Sequence, residues 1–149
     1  MNDIYTPRPP LIGAKTGLIR SVSGTDPAAG AELTITVPQT AEWRILGLRF
    51  VLVTDATAVN RQVDLVIDDG ANIVLQIEAP ALHGASGTRG YNYAPGFPAR
   101  ALLTAEFILP LPVGARLGCR WRIRTVTVNL QAADNFGSAF LWVEEWLAP

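Results

Sequence analysis

The chain is short of the residues on which most site chemistry depends. Its 149 residues include one cysteine, one histidine and one methionine, and Lys15 is the only lysine. The single Cys119 excludes an internal disulfide, and with the single His83 it cannot complete a structural zinc site within one chain. His83 lies in "APALHGASGTRGYNY", where neither Ser86 nor any aspartate stands at a spacing that suggests a triad. An exposed or loosely paired loop histidine is expected there. One histidine also counts against a cupin-like enzyme, whose metal needs several ligands.

Charge is scarce too. Charged residues make up 17% of the chain, below the usual quarter, and the net charge is −1. Non-specific nucleic-acid binding needs a concentrated basic surface, which the chain as a whole lacks. No apolar run is long enough to cross a bilayer, and "MNDIYTPRPPLIGAKTG" has no signal-peptide core. The expected partners therefore include neither nucleic acid nor membrane, and synthesis in the cytoplasm is expected. The glycines of "GASGTRG" lack the Lys-Ser/Thr and the helix of a phosphate-binding loop. Glu144 and Glu145 are adjacent, so in a strand they point to opposite faces and cannot act as a carboxylate pair. No catalytic residue, cofactor or metal ligand is assigned.

What remains is an apolar, arginine-bearing chain. Apolar residues make up 49%, and apart from Lys15 the twelve basic residues are all arginine. Arginine suits interfaces, because its planar fork pairs well and is weakly hydrated. The length fits one domain with a real core. Residues 1–16 carry Pro7, Pro9 and Pro10 without periodicity and read as an extended arm, with residues 17–149 as the domain.

Strand patterns fill the domain. Leu18 to Ser23 is a short strand, and "AELTITVP" turns Leu33, Ile35 and Val37 inward before Pro38 stops it. Trp43 to Asp55 is apolar on both parities, as in a strand covered on both faces. "RQVDLVIDDGANIVLQIE" reads as a hairpin turning at Asp69-Gly70, with Val63, Leu65, Ile67, Ile73, Leu75 and Ile77 inward. Asp64, Asp68, Asp69 and Asn72 lie close together there. A turn explains them, and a bound cation is the alternative, although the spacing is not that of an EF-hand. "AADNFG", with Asp134 and Asn135, reads as a connecting loop. Residues 79–100 form a long loop with a short strand at Tyr91 to Tyr93. Leu103, Ala105, Phe107 and Leu109 share a face, and "AFLWVEEWL" is a last strand with two apolar faces. No segment keeps a helical period, so the class is all-β. About eight strands with long connections predict a single-domain, jelly-roll-like β-sandwich behind an extended N-terminal arm. Trp43, Trp121, Trp142 and Trp146 lie in strand patterns and are expected in the core or at a subunit interface.

"GCRWRIRTVTVNL" carries Arg120, Arg122 and Arg124 on one parity, with Cys119, Trp121 and Ile123 on the other, where a core would be. Cross-strand pairing with Glu106 or Asp64 is expected for the arginines, and an acidic neighbouring subunit is the alternative. Val126, Val128 and Leu130 then occupy the arginine parity. Either a bulge near Arg124 or Thr125 rotates the strand, or its valine end is covered by a partner surface. The second is expected.

The order strand, Pro turn, Trp-led long strand, Asn-Arg loop and Asp-Gly hairpin runs through "ELTITVPQTAEWRILGLRFVLVTDATAVNRQVDLVIDDGANIVLQI", followed by "LPLPVGARL" and "VTVNLQAADNFGSAFLWVEEW". Across most of the domain it resembles the small jelly-roll proteins that decorate or cement the capsids of tailed bacteriophages. It is similar in the same way to head–tail connector, tail and spike subunits. The resemblance implies a non-enzymatic virion protein on the capsid exterior, often a homotrimer, whose partners are the major capsid protein and further copies of itself. Tyr5, Pro7, Arg8, Pro9, Pro10 and Leu11 of the arm, with Arg120, Arg122 and Arg124, are then the candidate interface. The competing expectation is a carbohydrate- or receptor-binding module of a tail or spike, with Tyr91, Tyr93 and Phe97 as stacking residues.

Overall fold

A computed structural model describes residues 17–101 and 105–148. The arm candidates Tyr5 to Leu11, and Leu103, lie outside these residues. Twelve strands follow in chain order: β1 (Leu18–Ser23), β2 (Thr34–Thr36), β3 (Ala41–Val53), β4 (Gln62–Asp68), β5 (Ile73–Glu78), β6 (Thr88–Pro95), β7 (Arg100–Ala101), β8 (Glu106–Leu111), β9 (Arg116–Leu117), β10 (Arg122–Val128), β11 (Asn135–Phe136) and β12 (Phe140–Leu147). No helix occurs among the described residues.

The large sheet runs β1-β12-β3-β6-β8-β7, with β9 and β11 also pairing to β3. The small sheet runs β2-β10-β4-β5. With the short strands β7, β9 and β11 and the inserted β8 set aside, eight strands remain. In sequence order they lie 1-8-3-6 in one sheet and 2-7-4-5 in the other, all antiparallel. That order is the double Greek key of a jelly roll, so the expected fold class holds. The insertion departs from it: β8 joins the open edge of β6 in parallel, and β7 folds back onto β8.

The core lies between the sheets because alternate residues of each strand face inward. Trp43, Phe50, Tyr91, Phe107, Ile123, Phe136 and Leu141 are buried there. Phe50 stacks on Tyr91 with ring centroids 5.1 Å apart and meets Phe136 edge-on at 5.7 Å, and Tyr91 meets Phe107 edge-on at 5.4 Å. The two apolar parities of β3 have a local cause. Trp142 pairs with Gly47 but Val143 pairs with Ile45, which leaves Leu46 bulged. The inward set therefore passes from Trp43 and Ile45 to Leu48, Phe50 and Leu52. The bulge thus lies in β3, and β10 has none near Arg124 or Thr125.

The Asp69-Gly70 turn forms as read. Gly70 takes φ 98°, where a Cβ would be strained, and Asp69 Oδ1 accepts the N–H groups of Ala71 and Asn72. Ile73 is exposed rather than inward, and Leu75 and Ile77 are partly buried.

Candidate functional site: the outer face of the large sheet

The arginine stretch became a surface device of the small sheet. β10 pairs with β4 without interruption from Arg122 to Val128, so the side chains never change face. Ile123 and Thr125 point inward, while Arg122, Arg124, Val126 and Val128 share the outer face. Within the chain itself nothing covers Val126 and Val128, which are 37% and 56% exposed. The arginines bind neither Glu106 nor Asp64. Arg122 Nε and Arg124 Nε donate to the two oxygens of Asp68, at 2.7 and 2.8 Å. Burial alone raises the Asp68 pKa, but the hydrogen bonds from Arg124, Arg122 and the Gly70 N–H outweigh it, so the carboxyl sits below its ordinary value. Arg120 lies before the strand at φ 66°, exposed, and Cys119 beside it is exposed rather than in the core.

The stacking candidates do not come together. Tyr91 and Tyr93 are buried between the sheets, because β6 turns their parity inward, and only Phe97 is exposed. His83 is also buried: it bridges Arg61 through the backbone, and its Nδ1 lies 3.4 Å from the Tyr91 hydroxyl. Burial lowers its pKa below the ordinary histidine value, with Arg89 adding to the effect.

A cluster the sequence reading missed ties the loops at one end of the sandwich. Arg61 is fully buried, and its side chain grips Asp134 through two bonds of 2.9 Å, Nε to Oδ2 and Nη2 to Oδ1. It also donates to Asp55 and to the carbonyls of Thr57 and Val59, so every guanidinium N–H is used. Asp134 further accepts the backbone N–H groups of Asp55 and Gln131. Burial pushes the Asp134 pKa up, but Arg61 and these N–H groups outweigh it and hold the carboxyl below its ordinary value.

Exposed aromatic rings stand on the outer face of the large sheet. Strand pairing sets Ser23, Phe140, Arg49, Asn92, Ile108 and Arg100 in one row across six strands. Two residues along lie Ser21, Trp142 and Gly47, and Ala94 beside Pro110. Phe140 and Trp142 are 53% and 55% exposed, and Phe97 is 55% exposed beside β8. Gly47 has no side chain, so a shallow hollow opens next to Trp142, and a second of about 390 Å³ opens between Arg49, Ala94, Phe97 and Ile108. Arg49 stands between them and pairs with Glu106 at 3.3 Å, and Asn92 Nδ2 donates to the same carboxylate. The Glu106 carboxylate lies over Gly90, where a Cβ would overlap it. Further along the face Arg44 pairs with Glu144 and, with Arg116, lies over the Trp146 ring. Of the four tryptophans, Trp43 is buried, Trp121 packs partly buried against the core, and Trp142 stands out in solvent. Exposed aromatics beside arginine are the composition of protein-contact surfaces. The alternation of "AFLWVEEWL" held this signal, since Phe140 and Trp142 share a parity opposite to Leu141 and Val143.

No family model matches the chain, and no curated protein sequence matches it. Among solved structures it is similar to the tobacco streak virus coat protein, at 11% identity and a TM-score of 0.35, over 93% of this chain and 92% of that one. It is also similar to PfGH50B, at 13% identity and a TM-score of 0.35, over 90% of this chain but 23% of that one. A third likeness is to the infectious bursal disease virus Gt strain structure, at 9% identity and a TM-score of 0.31, over 90% of this chain and 41% of that one. The fold assignment rests on the strand order, not on these likenesses.

Proposed function

We propose that the chain is a structural virion protein, most concretely a decoration or cement subunit on the capsid exterior of a tailed bacteriophage. One observation carries the reading: a jelly roll places Phe140, Trp142 and Phe97 in solvent on the outer face of its large sheet. Contiguous exposed apolar surface of this kind marks a contact with another protein. The partners in this reading are the major capsid protein and further copies of the chain. The mechanism is passive and has no catalytic step: interfaces of about 1,200–2,000 Å² per stable pair add across shell joints. The stacking reading through Tyr91, Tyr93 and Phe97 loses two of its three rings to the core.

The test adds the purified chain to shells that lack it and follows shell disruption by heat. Saturable binding with a higher disruption temperature is expected. Shells that neither bind the chain nor gain heat resistance overturn the proposal. Deleting residues 1–12 is expected to weaken shell binding, and undiminished binding would remove the arm from the interface.

A further inference from the structure

We infer that the outer face of the large sheet is a two-fold contact between two copies of this chain. The inference does not depend on the virion reading. Strands β12, β3, β6 and β8 stand side by side. An axis parallel to the strands, midway between β3 and β6, exchanges β12 with β8 and β3 with β6. Applied to the row described above, it sets Phe140 against the partner's Ile108 and Arg49 against the partner's Asn92. Two residues along, it sets Trp142 against the partner's Pro110 and Gly47 against the partner's Ala94. Ring projections thus meet the shallow side of the same face, which is the self-complementarity an isologous contact requires.

The polar groups match under the same operation. Arg49 pairs with Glu106 through Nη2 alone, which leaves Nε and Nη1 as unpaired donors. Asn92 uses its Nδ2 on Glu106 and on the Phe107 carbonyl, which leaves Oδ1 as an unpaired acceptor. At the margins, Arg100 meets the partner's Ser23. Arg49–Glu106 and Arg44–Glu144 neutralise themselves within each copy, and the operation sets the two unpaired Arg100 side chains at opposite margins of the contact. Strands spaced about 4.8 Å apart, rising about 3.3 Å per residue, make this face roughly 29 Å by 20 Å. Covering it on both copies removes on the order of 1,200 Å², the lower bound for a specific stable contact. Two sheets packed this way lie about 10 Å apart with their strands nearly aligned.

Sedimentation velocity of the full chain against Trp142→Glu, over a concentration series, tests the contact. The wild type is expected to show an even-numbered species, and the variant to halve its mass, with a dissociation constant at least about 30-fold weaker. Trp142 is exposed in the single copy, so at concentrations too dilute for association the variant's melting temperature should match the wild type. If it does not, the decision passes to a second variant: Phe140→Cys with Ile108→Cys in a Cys119→Ser background, treated with a short bis-maleimide. The two positions lie three strands apart within one copy, about 14 Å, so the reagent is expected to join copies and not to close within one. Covalent dimer from the double variant, but not from either single one, supports the contact. A wild type that stays monomeric, a trimer indifferent to Trp142→Glu, or a monomer that uses Trp142 to bind glycans overturns it.

Discussion

Replacing Asp134 with alanine is expected to be among the most damaging single changes outside the apolar core. Arg61 and Asp134 have fully buried side chains, so removing the carboxylate leaves a buried guanidinium with two unmet donors and only Asp55 to balance its charge. Breaking such a pair from one side costs about 3–5 kcal/mol. The backbone N–H groups of Asp55 and Gln131 lose an acceptor at the same time. Against a total stability of about 5–15 kcal/mol, that is a large share. At about 2–4 °C per kcal/mol for a domain of this size, the melting temperature should fall by roughly 10 °C. Calorimetry of the wild type, Asp134→Ala, Arg61→Met and the double variant measures it. The double variant should lose clearly less than the sum of the singles, because removing both partners leaves no buried charge. Additive losses, or a fall below about 2 °C for Asp134→Ala alone, would refute the account of the loop clamp.

Asp68→Asn should cost about 1.5–3 kcal/mol at neutral pH, because it weakens two charge-assisted bonds to arginine. The folded-state pKa of Asp68 is depressed, so its stabilisation is present above the unfolded value near 4 and is lost as pH falls through the folded value. Urea titrations from pH 7 to 2 should show the wild type losing stability across that range and the variant losing less; parallel curves would contradict this. Gly90→Ala should displace Glu106 from Asn92 and Arg49 at a cost of about 1 kcal/mol. A structure of that variant with the Glu106 carboxylate unmoved would refute the account of that glycine.

Local signals in the chain were legible where they had local causes. Leu18 to Ser23 forms the strand that its flanking residues predict, and Asp69-Gly70 turns the hairpin because a positive φ must be accommodated there. The all-β class and the jelly roll followed from alternation and spacing. Long-range choices were not legible. Arg61 and Asp134 are 73 residues apart, and nothing near either names the other. The Leu46 bulge turned a parity change into what looked like a strand covered on both faces. Tyr91 and Tyr93 sat in a loop-like stretch, yet β6 pairing with β3 turned both rings inward. The arginine ladder had its partner fifty-odd residues away in Asp68, where the β4 register placed it, and not in Glu106 or Asp64.

Hydroxyl-radical footprinting tests most directly the claim that this chain works through the outer face of its large sheet. The comparison is between dilute chain and chain in its assembled state. Oxidation of Trp142, Phe140 and Phe97 is predicted to fall on assembly, while that of exposed Val113 and Val128, which lie off this face, stays the same. Equal oxidation of Trp142 and Phe140 in both states would contradict the account.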